Sequence, residues 1–124
     1  MKQKLFLVAA ILWTLGIFIG CSLPGKDLPP VDLFDHFDKV VHFTFFFVFA
    51  ILWLGIRFPS LEGTKGWVLV VILSFSYGFF LEWYQINFVP GRSWDVWDGI
   101  ADGVGGSFGC LFASKLYLWT NKLQ

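Results

Sequence analysis

The sequence predicts an all-α integral membrane bundle of four transmembrane helices with both termini cytoplasmic, and three observations carry that reading. Hydrophobic residues make up 56% of the chain against 15% charged, an excess that a water-soluble domain of 124 residues has too little interior to hide. Four apolar stretches are each long enough to cross a hydrocarbon core of roughly 30 Å, which takes about 17–25 helical residues. The prolines and most of the charge fall between those stretches, where backbone groups can meet water.

The first span is Leu5–Leu23, behind Lys2 and Lys4. Those lysines, the apolar run and Ile19-Gly20-Cys21 also look like a lipoprotein signal with Cys21 as the acylated residue, but Phe18 fits that signal poorly and a retained helix is the favoured reading. The loop that follows carries Pro29, Pro30, Asp32, Leu33, Phe34, Asp35, His36 and Phe37, the pattern of a short amphipathic turn at the interface or of a solvated lead-in. His36 reads as a surface residue. The second span is Val40–Ile56, the third Trp67–Val89 and the fourth Ile100–Trp119, joined by loops short enough to make neighbours antiparallel.

Lys and Arg on short loops set orientation, with the richer side in the cytoplasm. With the N-terminus inside, that side holds Lys2, Lys4, Arg57, Lys65, Lys115 and Lys122 against Lys26, Lys39 and Arg92 outside. Trp67, Tyr117 and Trp119 then anchor inner ends, and Trp83, Tyr84, Trp94 and Trp97 form the outer belt. Trp13 lies in mid-span and reads as a packing residue. Cys21 near a surface and Cys110 inside the bilayer lie too far apart to pair, so both are expected as free thiols. Zero net charge excludes the basic field that holds nucleic acid.

This topology puts the ionisable residues of three spans at one depth near the outer side. Asp38 and His42 are four apart at the start of the second helix, hence on one face. Glu82 lies seven residues before the end of the third, roughly 10 Å deep at about 1.5 Å per residue, with Gln85 on the same side. Asp95, Asp98 and Asp102 share a face of the fourth if that helix starts early, and Arg92 just precedes them. A charge at the bilayer centre costs on the order of 3 kcal/mol, so Glu82 and Asp102 must face the bundle interior or water. Lys39, Arg92 and a protonated His42 offset these carboxylates only in part. The surplus implies a neutralised carboxyl, a bound cation or a cationic ligand group. The alternative is that Arg92, Asp98 and Glu82 merely staple helix ends; convergence of the whole set at one depth favours a pocket.

The fourth helix also carries two interleaved series at spacings of four, Gly99, Gly103 and Ser107 and then Ala101, Gly105, Gly109 and Ala113. Small residues at that spacing admit close helix contact in lipid, within the chain or between copies.

Asp38-Lys39-Val40-Val41-His42-Phe43, then Glu82-Trp83-Tyr84-Gln85, then Gly91-Arg92-Ser93-Trp94-Asp95-Val96-Trp97-Asp98 before a glycine-rich helix together resemble the VanZ-like family of small bacterial membrane proteins. Cys21-Ser22-Leu23-Pro24 is similar to that family's exit from the first helix. The resemblance spans essentially the whole chain as one domain, 1–124. It implies a multi-pass protein of the bacterial cytoplasmic membrane and a link to resistance against teicoplanin, a glycopeptide that binds cell-wall precursors. It carries over Asp38, Lys39, His42, Glu82, Gln85, Arg92, Asp95 and Asp98 as site positions; Asp102 joins them on depth alone.

The expected function is therefore binding of a lipid-linked or amphipathic envelope ligand, such as a cell-wall precursor, among membrane lipids, with Arg92 and Lys39 holding an anionic head group. One alternative is an intramembrane enzyme acting on a head group, with His42 as general base and Glu82 or Asp98 assisting. Another is a proton- or ion-coupled transporter. No HExxH, GxSxG or P-loop motif is present, so the sequence leans away from an enzyme and assigns no cofactor and no metal ligands.

Overall fold

Residues 2–27, 34–56 and 63–122 are described by a computed structural model of the protein, with 2 and 117–122 described by backbone alone. Four α-helices follow one another: α1 (Lys2–Cys21), α2 (Phe37–Leu54), α3 (Thr64–Phe88) and α4 (Val96–Lys122), with a 3-10 turn at Gly25–Asp27. No strand occurs among the described residues. Three helices, α1, α2 and α3, are long and apolar enough to cross a membrane, which fits a membrane protein. The stretch expected as the fourth span forms a helix, α4, that starts four residues earlier than expected and is the least apolar of the four, diluted by glycine, Asp98 and Asp102.

Each helix end has a local cause. α1 stops where Ser22 turns its hydroxyl back onto the Phe18 carbonyl at 2.6 Å, just before Pro24. α2 begins behind His36, which is exposed and left-handed at φ 64°. It therefore starts three residues before the expected Val40, taking Asp38 and Lys39 into its first turn. Asp38 there complements the helix dipole. α3 follows Gly63, left-handed at φ 68°, and ends where Val89 becomes extended ahead of Pro90. α4 is capped by Asp95, whose Oδ1 accepts the Trp97 N–H at 2.9 Å.

The packing is α4 between α2 and α3, with α1 against α2 and α3 on the other side. Phe6 near the start of α1 meets Gly55 at the end of α2, so those two helices are antiparallel. The two small-residue series on α4 serve different neighbours. Gly99 and Gly103 lie against the Phe79 and Phe75 rings of α3, while Gly105 and Gly109 lie over the Phe43 and Phe47 carbonyls of α2. No β-carbon fits at Gly105 or Gly109, because the obstacle is backbone. Since these glycines are covered from within the chain, the face of α4 left for a second copy is the exposed Val104, Phe108, Leu111 and Phe112.

Trp13 packs edge-on against Phe45 and donates its indole N–H to the Phe45 carbonyl at 2.9 Å. Cys21 and Cys110 are both free and buried. Trp83, Trp94 and Trp97 are exposed around the α3–α4 turn, as an interfacial belt requires. The expectations for Pro29, Pro30, Asp32 and Leu33, for the charges of Lys2, Arg57 and Lys122, and for the Tyr117 and Trp119 anchors lie outside the described residues.

Candidate functional site

The ionisable residues singled out in the sequence converge at the end of the bundle where α2 and α4 begin and α3 ends. They form two adjoining trios that share Asp98. In the outer trio, the Lys39 ammonium donates to Asp38 Oδ2 at 2.7 Å, Asp95 Oδ2 at 2.6 Å and Asp98 Oδ1 at 2.8 Å. An ammonium has three protons, and three carboxylates take them. Lys39 is thus a tie between α2 and the start of α4, with all three of its protons engaged. Asp95 lies outside the helices, and the Lys39 ammonium, with help from the Trp97 N–H, holds its carboxyl below the ordinary value of 3.8.

The inner trio is His42, Glu82 and Asp98, one residue from each of α2, α3 and α4, with ligand atoms all within 4.8 Å of one another. His42 Nδ1 lies 3.0 Å from Asp102 Oδ1, and Nε2 lies 3.8 Å from Asp98 Oδ2. An ionised Asp102 only accepts, so against it Nδ1 is the donor, and Nε2 faces Asp98. Glu82 Oε2 accepts the Asp95 backbone N–H at 3.1 Å, which locks the end of α3 to the cap of α4. His42, Glu82 and Asp102 are 7%, 1% and 0% exposed, so the trio and its support sit inside the protein.

Asp102 reaches this position because α3 has no side chain at Gly78. A β-carbon there would come within 2.6 Å of Asp102 Oδ2. Gln85 sits apart from both trios, buried, with its amide donating to the Cys21 carbonyl at 3.0 Å. It ties α3 to the end of α1. Arg92, on the turn before Asp95, forms no ion pair among the described residues, contrary to the expected pairing with the carboxylates.

Three buried polar atoms here have no hydrogen-bond partner among the described residues: Glu82 Oε1, Asp102 Oδ2 and Arg92 Nε. Buried polar atoms are nearly always paired, and each orphan forfeits about 1–3 kcal/mol. Five carboxylates, Asp38, Glu82, Asp95, Asp98 and Asp102, meet two permanent cations, of which only Lys39 is paired with them. The arrangement can accept a cation at the inner trio and offer Arg92 to an anion.

The sequence reading placed His42, Glu82 and Asp98 at one depth and allowed a bound cation there, but their approach within 4.8 Å lay beyond it because they come from three helices with no shared local spacing. Gly78 was also missed, although a lone glycine inside an otherwise apolar helix is a signal of close approach. A scan against protein-family models, a search of the curated proteins and a search of the solved structures each find no match.

Proposed function

We propose that the protein is a four-span integral membrane protein of the bacterial cytoplasmic membrane, VanZ-like in kind, whose polar end faces outward and binds the head group of a lipid-linked or amphipathic envelope ligand. The observation that carries this reading is that Arg92 Nε and one oxygen each of the buried Glu82 and Asp102 carboxyls lack hydrogen-bond partners among the described residues. Helix staples would be satisfied by one another; these groups are not. With Lys39 fully engaged, Arg92 is the residue that meets an anionic head group, and its planar fork suits a phosphate. Binding at this face would change how cell-wall precursors are exposed, and so sensitivity to teicoplanin.

Native mass spectrometry of the purified protein tests this reading. Wild type should retain an anionic lipid and Arg92→Ala should lose most of it; equal retention by both would contradict the proposal. A second reading, an enzyme acting on a head group with His42 as general base, draws on the His42–Asp102 hydrogen bond, a carboxylate contact that orients the ring. Under it, His42→Ala keeps the bound lipid but abolishes any effect of the protein on teicoplanin sensitivity.

A further inference from the structure

Three electron-pair donors converge in the inner trio. A His42 ring nitrogen, a Glu82 carboxylate oxygen and an Asp98 carboxylate oxygen lie within 4.8 Å of one another, and no Lys or Arg pairs with Glu82 among the described residues. Lone pairs gathered this closely repel unless a cation stands between them. In the outer trio that cation is the Lys39 ammonium. Lys39 shows how this end of the bundle neutralises clustered carboxylates, and it reaches the inner trio only through Asp98 Oδ1.

Two independent observations point to a metal ion as the inner counterpart. Glu82 is 1% exposed, yet its Oε1 has no partner, so a buried carboxylate oxygen is left for a ligand. His42 is also placed as a metal-bound imidazole is: Nδ1 lies 3.0 Å from the Asp102 carboxylate, the kind of supporting partner that orients such a ring, and Nε2 points toward Asp98. Asp102 in that role has no direct part in coordination, and Gly78 gives it room.

We infer that His42 Nε2, Glu82 and Asp98 bind a divalent transition-metal cation of the Zn2+ or Mn2+ class, with Asp102 as the positioning residue. One nitrogen and two oxygens suit such ions, and three protein ligands leave a coordination position open. Resting on the head-group reading, the open position is where a phosphate oxygen of the bound ligand would complete the shell, with Arg92 as its second anchor. A site rich in carboxylates thereby becomes one that holds an anion.

Full-length protein in nanodiscs containing phosphatidylglycerol, stripped with chelator and titrated with Zn2+, tests the inference by calorimetry and elemental analysis. Wild type should retain about one Zn2+ per chain. His42→Ala and Glu82→Gln should abolish retention, and Asp102→Asn should weaken it by about 10–100-fold, as loss of a supporting carboxylate does. His36→Asn, at the exposed histidine, should bind as wild type. Wild type that retains no Zn2+ or Mn2+, or His42→Ala that retains as much as wild type, overturns the inference whether or not any variant folds poorly. Phosphatidylglycerol retention, read on the same samples, separates the two claims. Lipid held through Arg92 without metal overturns the metal site and leaves the head-group reading standing. Metal bound with lipid indifferent to it supports the site and removes the head group from it.

Discussion

Two stretches of one interface, the seam of α4 with α2 and α3, are built on opposite terms. Toward the middle of the bundle, Gly105 and Gly109 lie directly over the Phe43 and Phe47 carbonyls, with Phe43–Phe108 and Phe47–Phe112 ring pairs alongside at 5.8 and 5.6 Å. Hydroxyls there are satisfied within their own helices: Ser74 by Val70, Ser107 by Gly103 and Ser114 by Cys110. At the polar end the same helices meet through Lys39, His42, Asp98 and Asp102, and buried atoms of Glu82, Asp102 and Arg92 lack partners. In lipid, close packing is what holds helices together. The glycine half therefore supplies stability, and the charged half holds buried polar atoms in an unsatisfied arrangement, the arrangement that the proposed ligand would complete.

The largest effect that would sharpen this contrast comes from the glycine half. Gly105→Ala forces a methyl into the Phe43 carbonyl, and a loss of about 3 kcal/mol is expected in a reversible unfolding titration in detergent. Gly103→Ala meets a Phe75 ring, which can rotate, and should lose less. Equal tolerance of both would show that α4 does not rest on the α2 backbone.

Lys39→Ala is the next largest. It strips Asp95 and Asp98 of their cation, and because both are partly exposed a loss of about 1–2 kcal/mol is expected at neutral pH. The contribution through Asp95 has a defined pH dependence. Its carboxyl is held below 3.8 in the folded protein, so the stabilisation is complete above that value and disappears as pH falls through the lowered one. The stability gap between wild type and Lys39→Ala should be constant from pH 7 to about 5 and narrow below about 4. A gap that widens on acidification would contradict the pairing.

Gly78→Ala should lower both stability and Zn2+ affinity, because its methyl would lie 2.6 Å from both Asp102 Cβ and Asp102 Oδ2, so Asp102 and the α3–α4 seam beside it must shift. A variant whose melting midpoint and Zn2+ affinity both match wild type would contradict that close approach.

Much of this division was legible in the sequence, and the parts that were not share a cause. The spacing of four in Gly99 and Gly103, and again in Gly105 and Gly109, marked close packing on two faces, because helical periodicity converts directly into a face. Loop lengths gave helix directions, and directions put His42, Glu82, Asp98 and Asp102 at one depth. Depth, however, fixes only one coordinate. It could not show that Lys39 would be saturated by Asp38, Asp95 and Asp98, that Gln85 would turn to Cys21, or that Arg92 would stay unpaired, since those outcomes depend on rotation of helices about their axes.

The most direct test of the polar end as a ligand site is the melting midpoint of Glu82→Gln in nanodiscs, read alongside its bound Zn2+ and lipid. Gln keeps an acceptor for the Asp95 N–H and removes a buried charge without a partner, so the midpoint should hold or rise by the equivalent of about 1 kcal/mol while Zn2+ binding is lost. A midpoint that drops sharply, with Zn2+ and lipid unchanged, would make Glu82 a structural staple and contradict the account.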